Sequence, residues 1–329
     1  MLNKFLPNNK RPFSETPNEP RYWQRVCPLG VTQVAIIGAG PAGLMAARKI
    51  REHGFRVTVL DKGRRPGGRT NTREHGPFRF DHGAQFFTVR DDRIRPFLNG
   101  WLKAGTVALW RGRFVRLSSN GSEPAHTADR YVGTRGMISI PSALAEHLHV
   151  RFGVRVERVE RVGGRWRLRD DAGEDVGRFD QVVVAVPAAQ AAPLLAASPD
   201  LRIMAEKVSM APAWAGMFAF EERPPMDFDA AFVADSDISW IARDASKPGR
   251  APIESWVVHA SPEWTRRQWD TDRSEMPRRI ISLLESRFGP MPLVRFERAH
   301  RWGYALTSGV APGVLYDAAI GIGVAGDWC

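Results

Sequence analysis

Three glycines at 38, 40 and 43, in the stretch VAIIGAGPAGLMAARKI, stand at a spacing that can receive a pyrophosphate. Gly38 permits a tight turn, Gly40 lets backbone approach the phosphates, and Gly43 lets a helix pack closely on a strand. Pro41 and Ala42 lead into that helix, whose N-terminal N–H groups would face the anion. Asp61 follows about 20 residues after the glycines, where a carboxylate can accept hydrogen bonds from ribose hydroxyls. Just beyond it, Lys62, Arg64, Arg65, Gly67, Gly68 and Arg69 would set donors and flexible backbone beside the same pyrophosphate. A merely solvated basic loop would not call for the paired glycines.

The elements needed to hold these residues are legible around them. Residues 34–37 form a short apolar run suited to a buried parallel strand, and Leu44, Ala47 and Ile50 give the helical spacing that ends at Gly54. Residues 57–60 are the next strand, so the unit is βαβ. Further on, 91–103 and 137–148 read as helices, the second with Ile138, Leu144 and Leu148 inward, and 106–116 as short strands. Gly163-Gly164 and the turn at 170–173 separate three strands, a β-meander within the nucleotide domain. Residues 207–260 alternate strands with turns, and 262–288 read as helical with Trp264, Trp269, Ile280, Leu283 and Leu284 in the core.

Composition narrows the classes. The chain has 329 residues, 43% hydrophobic and 25% charged, which fits two joined domains or one large α/β unit. Its net charge of +11 comes from scattered basic residues, mostly arginines, without a like-charge block, which favours an ordinary basic soluble protein over a nucleic-acid binder, and an anionic nucleotide substrate fits either. The two cysteines, Cys27 and Cys329, exclude a disulfide framework and a cysteine zinc site. With neither HExxH nor GxSxG, a catalytic metal and a hydrolase triad both lack an anchor. No apolar run reaches membrane-span length, and residues 1–30, Pro/Asn-rich without an apolar centre, read as a disordered extension of a cytoplasmic protein.

The GxGxxG, the RRPGGR stretch, DHGAQFF at 81–87 and the terminal GDWC resemble the amine-oxidase-type FAD superfamily. Within it, VGTRGM (132–137), VVVAVPAAQAAPLL (182–195), SKP (246–248), WVVHASPEW (256–264) and AHRWGYA (299–305) are most similar to the bacterial renalases. Those flavoenzymes oxidise isomeric dihydronicotinamides. The resemblance spans 31–329 and implies a two-domain α/β flavoprotein. In that arrangement a Rossmann-like FAD-binding domain of 31–72, 137–190 and 296–329, with a parallel sheet and the β-meander, carries an inserted mixed α+β substrate domain of 73–136 and 191–295.

The resemblance assigns FAD, bound non-covalently, to Gly38, Gly40, Pro41, Ala42, Gly43, Asp61, Lys62, Arg64, Gly68, Arg69, Gln85, Val156, Gly326 and Asp327. The expected partners are a small nucleotide and O2, with no membrane, nucleic acid or metal. Gln85 is placed to hydrogen-bond a carboxamide or the flavin edge, with Phe86 and Phe87 shaping a flat pocket; ordinary packing is the alternative. Trp256 and Trp302 sit in segments resembling pocket walls, and His259 and His300 are either structural or part of the site.

Two rival readings remain open. One is amine oxidation, which in the superfamily uses an aromatic cage and a lysine-held water, here limited to Lys207 or Lys247. The other is a non-catalytic nucleotide-binding protein. In the superfamily a further helix follows the Gly-Asp pair, so the resemblance also implies a chain shortened after Gly326-Asp327, with weak FAD retention.

Overall fold

The computed structural model describes residues 31–125, 128–309 and 315–329; the expected extension at 1–30, with Cys27, lies outside the described residues. The chain forms two compact units. One comprises 31–65, 144–209 and 307–329 among those residues, and the other 66–143 and 210–306.

The first unit is built on a six-stranded sheet. Its order is Tyr316–Asp317, Ile322–Val324, Gln181–Val184, Gln33–Ile37, Arg56–Asp61 and His149–Phe152. All are parallel except Tyr316–Asp317, which is antiparallel to its neighbour. Gln33–Ile37 is central, and Val34, Ala35 and Ile36 are fully buried, as a parallel strand covered on both faces requires. The helix Pro41–Glu52 buries Gly43, Leu44 and Ala47 and turns basic residues, Lys49 and Arg51, toward its C-terminus.

The meander forms as the turn signals imply. Val156–Val162, Arg165–Asp170 and Asp175–Phe179 pair antiparallel, with Trp166 and Leu168 fully buried. The segment after Gln181–Val184 is helical, with Ala188–Ala191, Ala192–Leu195 and Pro199–Glu206 burying Ala191, Leu194, Leu195, Leu201 and Ala205.

The second unit holds a seven-stranded sheet in the order Val294–Ser308, Ser209–Phe220, Ser255–Ala260, Ile238–Arg243, Ala230–Val233, Phe114–Ser118 and Gly121–Pro124. Helix Met276–Phe288 lays Ile280 and Leu284 into one core with Trp214, Phe218, Phe220, Trp256 and Val258. The opposite parity of the same strands, Met217, Ala219 and Val257, packs with Phe80 and Phe296.

Several expectations need correction. The helical stretch 262–288 is two helices, Pro262–Arg267 and Met276–Phe288, because the Asp272 carboxylate accepts from the Ser274 N–H at 2.7 Å and turns the chain between them. Trp269 lies in that break, 38% exposed rather than in the core. The helix expected at 137–148 is shorter, Ser139–Ala145, and of Ile138, Leu144 and Leu148, expected inward, only Leu144 is buried, with Ile140 buried beside it. The unit boundaries fall elsewhere than expected: 66–72, 137–143 and 296–306 lie in the second unit, and 191–209 in the first. Lys207 is therefore in the first unit, exposed at a helix C-terminus. Among the described residues no helix is long and apolar enough to cross a membrane.

Candidate active site

In the first unit the glycine-rich turn is set by close contact. Gly38 has φ +114°, its N–H donates to the Leu60 carbonyl at 2.8 Å, and a Cβ there would lie 2.5 Å from the Ala185 carbonyl oxygen. A Cβ on Gly43 would collide with the Gly38 carbonyl oxygen, so the helix can rest on the strand only without a side chain. A Cβ on Gly40, by contrast, meets nothing within 4 Å. Gly40 caps a 12-residue helix with Pro41 at its start, no side-chain cap and no acid in the first turn, and Ala42 is exposed beside it. The helix end thus presents uncapped N–H donors and the positive end of the dipole beside open space.

Asp61 ends the neighbouring strand and bridges the turn. Its Oδ2 accepts from the Ala39 N–H at 2.6 Å and its Oδ1 from the Gly63 N–H at 2.6 Å. Each carboxylate oxygen can accept a further bond, so the acid is oriented by backbone and still suited to a ribose hydroxyl. Lys62 and Arg64 are exposed beside it. These residues fit a dinucleotide: open backbone donors for phosphate and an oriented acid for sugar. Val156 is buried in the meander. Asp327 is exposed and accepts from the Thr307 hydroxyl at 2.6 Å, and Gly326 leaves room for the Trp328 ring, whose Nε1 donates to the Val186 carbonyl at 3.0 Å.

In the second unit Gly68 is exposed with φ +53°, and the Arg69 guanidinium lies 3.5 Å from the Tyr304 carbonyl. The Arg69 carbonyl receives the Ala84 N–H at 2.9 Å, which fastens the 81–87 turn to the glycine loop. That turn is anchored by a buried set of charges that sequence reasoning missed. Asp81 Oδ1 accepts from the Thr72 hydroxyl at 2.7 Å and the Met137 N–H at 2.8 Å. Its Oδ2 accepts from Lys247 at 3.1 Å and Arg250 at 2.6 Å. Lys247 also pairs with Asp244, and the side chains of all three are fully buried. Burial by itself would raise Asp81, but Lys247 and Arg250 hold its carboxyl well below the usual carboxylate range. Burial pushes the Asp244 carboxyl up.

Gln85 belongs to this set. It is 6% exposed, its Nε2 donates to the carbonyls of Asp81 and Gly83, and its Oε1 accepts from Lys247 at 3.2 Å. The amide N–H donors are therefore engaged within the protein, while Oε1, with two lone pairs, accepts from Lys247 and can take a further donor. Phe86 meets Trp110, Phe114, Phe232 and Trp240, with the Arg130 guanidinium 5.4 Å from its ring, and Phe87 meets Trp101 and Tyr131.

A ring cluster stands on the same turn. His82 stacks on Trp302 at 5.0 Å and meets His300 edge-on at 5.0 Å, while His300 and Trp302 are 4.4 Å apart. The His82 carbonyl accepts from Trp302 Nε1 at 2.9 Å and from His259 Nε2 at 3.1 Å. His82 itself is 2% exposed, and its Nδ1 is buried with no hydrogen-bond partner among the described residues. Burial lowers His82 to about 3, His259 to about 4 and His300 to about 4, so all three rings are neutral at pH 7. Trp256 is not a wall of this cluster: it is fully buried on the opposite face of its strand from His259, bonded to Glu254 at 3.3 Å. Among the described residues no group of three or more His, Cys, Asp or Glu is placed to hold a metal ion.

Residues 36–101 match the NAD(P)-binding Rossmann-like domain and residues 112–312 the flavin containing amine oxidoreductase family. The chain belongs to that flavin-containing family, and its cofactor is FAD. Solved structures share the fold. Cyclohexylamine oxidase from Brevibacterium oxydans superposes with TM-score 0.70 at 14% identity, covering 91% of this chain and 94% of that one. An Exiguobacterium structure provisionally described as a protoporphyrinogen oxidase gives TM-score 0.73 at 15% identity, covering 91% and 95%. Among curated relatives, the flavin-containing monooxygenase FMO GS-OX4 of Arabidopsis thaliana is 30% identical over 159 residues, 44% of this chain and 32% of that protein. Phytoene desaturase of Rhodobacter capsulatus is 44% identical over 66 residues, 20% and 12%. The chain spans a third or less of the length of these curated relatives.

Replacing Asp61 by Ala is expected to weaken FAD binding by about 1–3 kcal/mol, the value of a hydrogen bond to a charged acceptor; titration of the apoprotein with FAD checks this, and an unchanged Kd removes Asp61 from the ribose contact. The histidines give a pH dependence with a definite sign. In the unfolded chain they take up protons below 6.5, whereas the folded rings resist until about 3 to 4. The unfolded state therefore binds more protons in that window, and stability falls as pH drops from about 6.5 toward 4. Melting temperatures across that range are expected to decline less in His259→Gln than in the native chain.

Proposed function

We propose that this enzyme oxidises isomeric dihydronicotinamide nucleotides, the 2- and 6-dihydro forms of NAD(P), to NAD(P)+, with O2 reduced to hydrogen peroxide. In this reading the first unit holds the dinucleotide half of FAD, through Gly38, Gly40, Gly43 and Asp61, and the second carries the substrate-facing residues. Bound FAD supplies the two-electron acceptor that O2 then reoxidises.

The observation that carries this reading over amine oxidation is the state of Lys247. It is the buried lysine of the second unit, and its ammonium is held by Asp81, Asp244 and Gln85. Held this way, it is not available to position a water beside a reacting amine. Proton demand points the same way. An amine arrives as an ammonium and must lose a proton before oxidation, which calls for a base with a pKa near the working pH. His82, His259 and His300 fall at about 3 to 4, and the buried carboxylates of Asp81 and Asp244 are engaged by Lys247 and Arg250. A dihydronicotinamide needs no such base, because loss of hydride alone restores its aromatic ring. Its phosphates also suit a chain of net charge +11, which raises the local concentration of anionic substrates.

Anaerobic mixing of the FAD-loaded protein with 6-dihydro-NAD is expected to bleach the flavin absorbance, while cyclohexylamine and putrescine leave it unchanged. Bleaching by either amine without bleaching by the dihydronicotinamide would reverse the assignment, and no bleaching by the dihydronicotinamide removes it.

A further inference from the structure

The lysine of the SKP segment is fully buried in the second unit, among two carboxylates and an amide. An ammonium has three donors. Lys247 donates to Asp81 Oδ2 at 3.1 Å and Gln85 Oε1 at 3.2 Å, and its ammonium is ion-paired with Asp244 Oδ1. Two of these acceptors, Asp81 and Gln85, begin and end a single turn. Asp244 holds the same turn a second time, its Oδ2 accepting from the Asp81 N–H at 3.0 Å. Arg250 ties Asp81 to the carbonyls of Gly133 and Thr134, at 3.0 and 2.8 Å.

Within that turn sits the His82 carbonyl, which accepts from both Trp302 and His259. A carbonyl can only accept, so the neutral His259 must carry its proton on Nε2, which leaves Nδ1 as a lone pair. The position of one carbonyl oxygen thus fixes the tautomer of one imidazole and the orientation of one indole. Gly83 adds to the constraint, because a Cβ there would collide with the Arg69 carbonyl.

We infer that Lys247 is a positioning residue: by clamping both ends of the 81–85 turn it places the His82 carbonyl so that His259, as its Nε2–H tautomer, and Trp302 form one fixed wall for the substrate. The assignment of that wall to the substrate rests on the reading of the second unit given above; the tautomer itself does not.

The test uses the FAD-loaded protein with 15N-labelled histidine. In the native chain at pH 7, the His259 ring is expected to show protonated Nε2 and unprotonated Nδ1; the reverse tautomer or a mixture overturns the inference whatever the substrate proves to be. Lys247→Met alone would leave buried carboxylates unpaired, so it is combined with Asp244→Asn, which removes one charge of each sign. In that double variant the His259 tautomers are expected to mix and flavin reduction by 6-dihydro-NAD to slow about 10- to 100-fold, the range that misplacement of a positioned group produces. FAD content should stay at the native level. An unchanged tautomer, or a mixed tautomer with an unchanged rate, overturns the positioning role. Gln85→Met removes the Lys247 contact at the end of the turn without altering charge, and it reads the same two quantities if the double variant does not fold. If 6-dihydro-NAD fails to reduce even the native flavin while the Nε2–H tautomer is present and is lost in the variants, the substrate reading fails and the clamp stands.

Discussion

Asp81 in the second unit is the residue on which the rest of its functional surface depends. Four residues from three separate pieces of chain converge on its carboxylate: Thr72, Met137, and Lys247 with Arg250. A buried ion pair adds little net stability compared with apolar packing, but removing one member of it is strongly destabilising, because the partner is left charged in a low-dielectric interior. Such a cluster therefore specifies geometry more than it contributes stability. Here it defines where the 81–87 turn begins, and through that turn the places of His82, Gln85, Phe86 and Phe87. The segments VGTRGM, DHGAQFF and SKP, far apart in sequence, meet as parts of one network.

The first unit meets a similar need with backbone alone. Its open surface is made by glycines that touch each other: Gly43 rests on Gly38, and Gly38 on Ala185. The one carboxylate that bridges this turn among the described residues, Asp61, is only half-buried and is aimed by two N–H groups. Under the proposed function the difference follows from what each part would face. A pyrophosphate is bound by a field of N–H donors, for which extra side chains would be obstacles. A flat, chemically reacting ring needs walls, and walls need side chains whose rotamers are held from behind.

Much of the first unit was legible because its signals are local. The order of strand, glycines, helix, strand and acid lies within about 30 contiguous residues, and the turn pairs Gly163-Gly164 and 170–173 mark the meander directly. The second unit was less so, since its determinants are contacts between distant residues. Lys247 looks in sequence like any solvated lysine; only the meeting of 81, 244 and 250 makes it a buried one. Trp256, expected in a pocket wall, and His259 differ by an odd number of positions and so face opposite sides of their strand. That parity was available in the sequence. The break at Asp272 was also available, in a run of short polar residues that compete with a helix for backbone hydrogen bonds.

The neutrality of the ring cluster is the remaining link between structure and reaction. A basic exterior attracts anionic molecules without distinguishing among them, so in the proposed reaction selection falls to the cluster. Three imidazoles kept uncharged by burial offer stacking surface and lone pairs, but no fixed charge and no base of useful strength at neutral pH. A surface of that kind cannot deprotonate an ammonium, yet it can hold a ring that reacts by releasing hydride. In the proposed reaction the substrate leaves with a pyridinium charge that its precursor lacked. Neutral imidazoles do not repel that developing charge, as imidazolium rings would, and the same burial that depresses their pKa therefore lowers the electrostatic cost of forming the product.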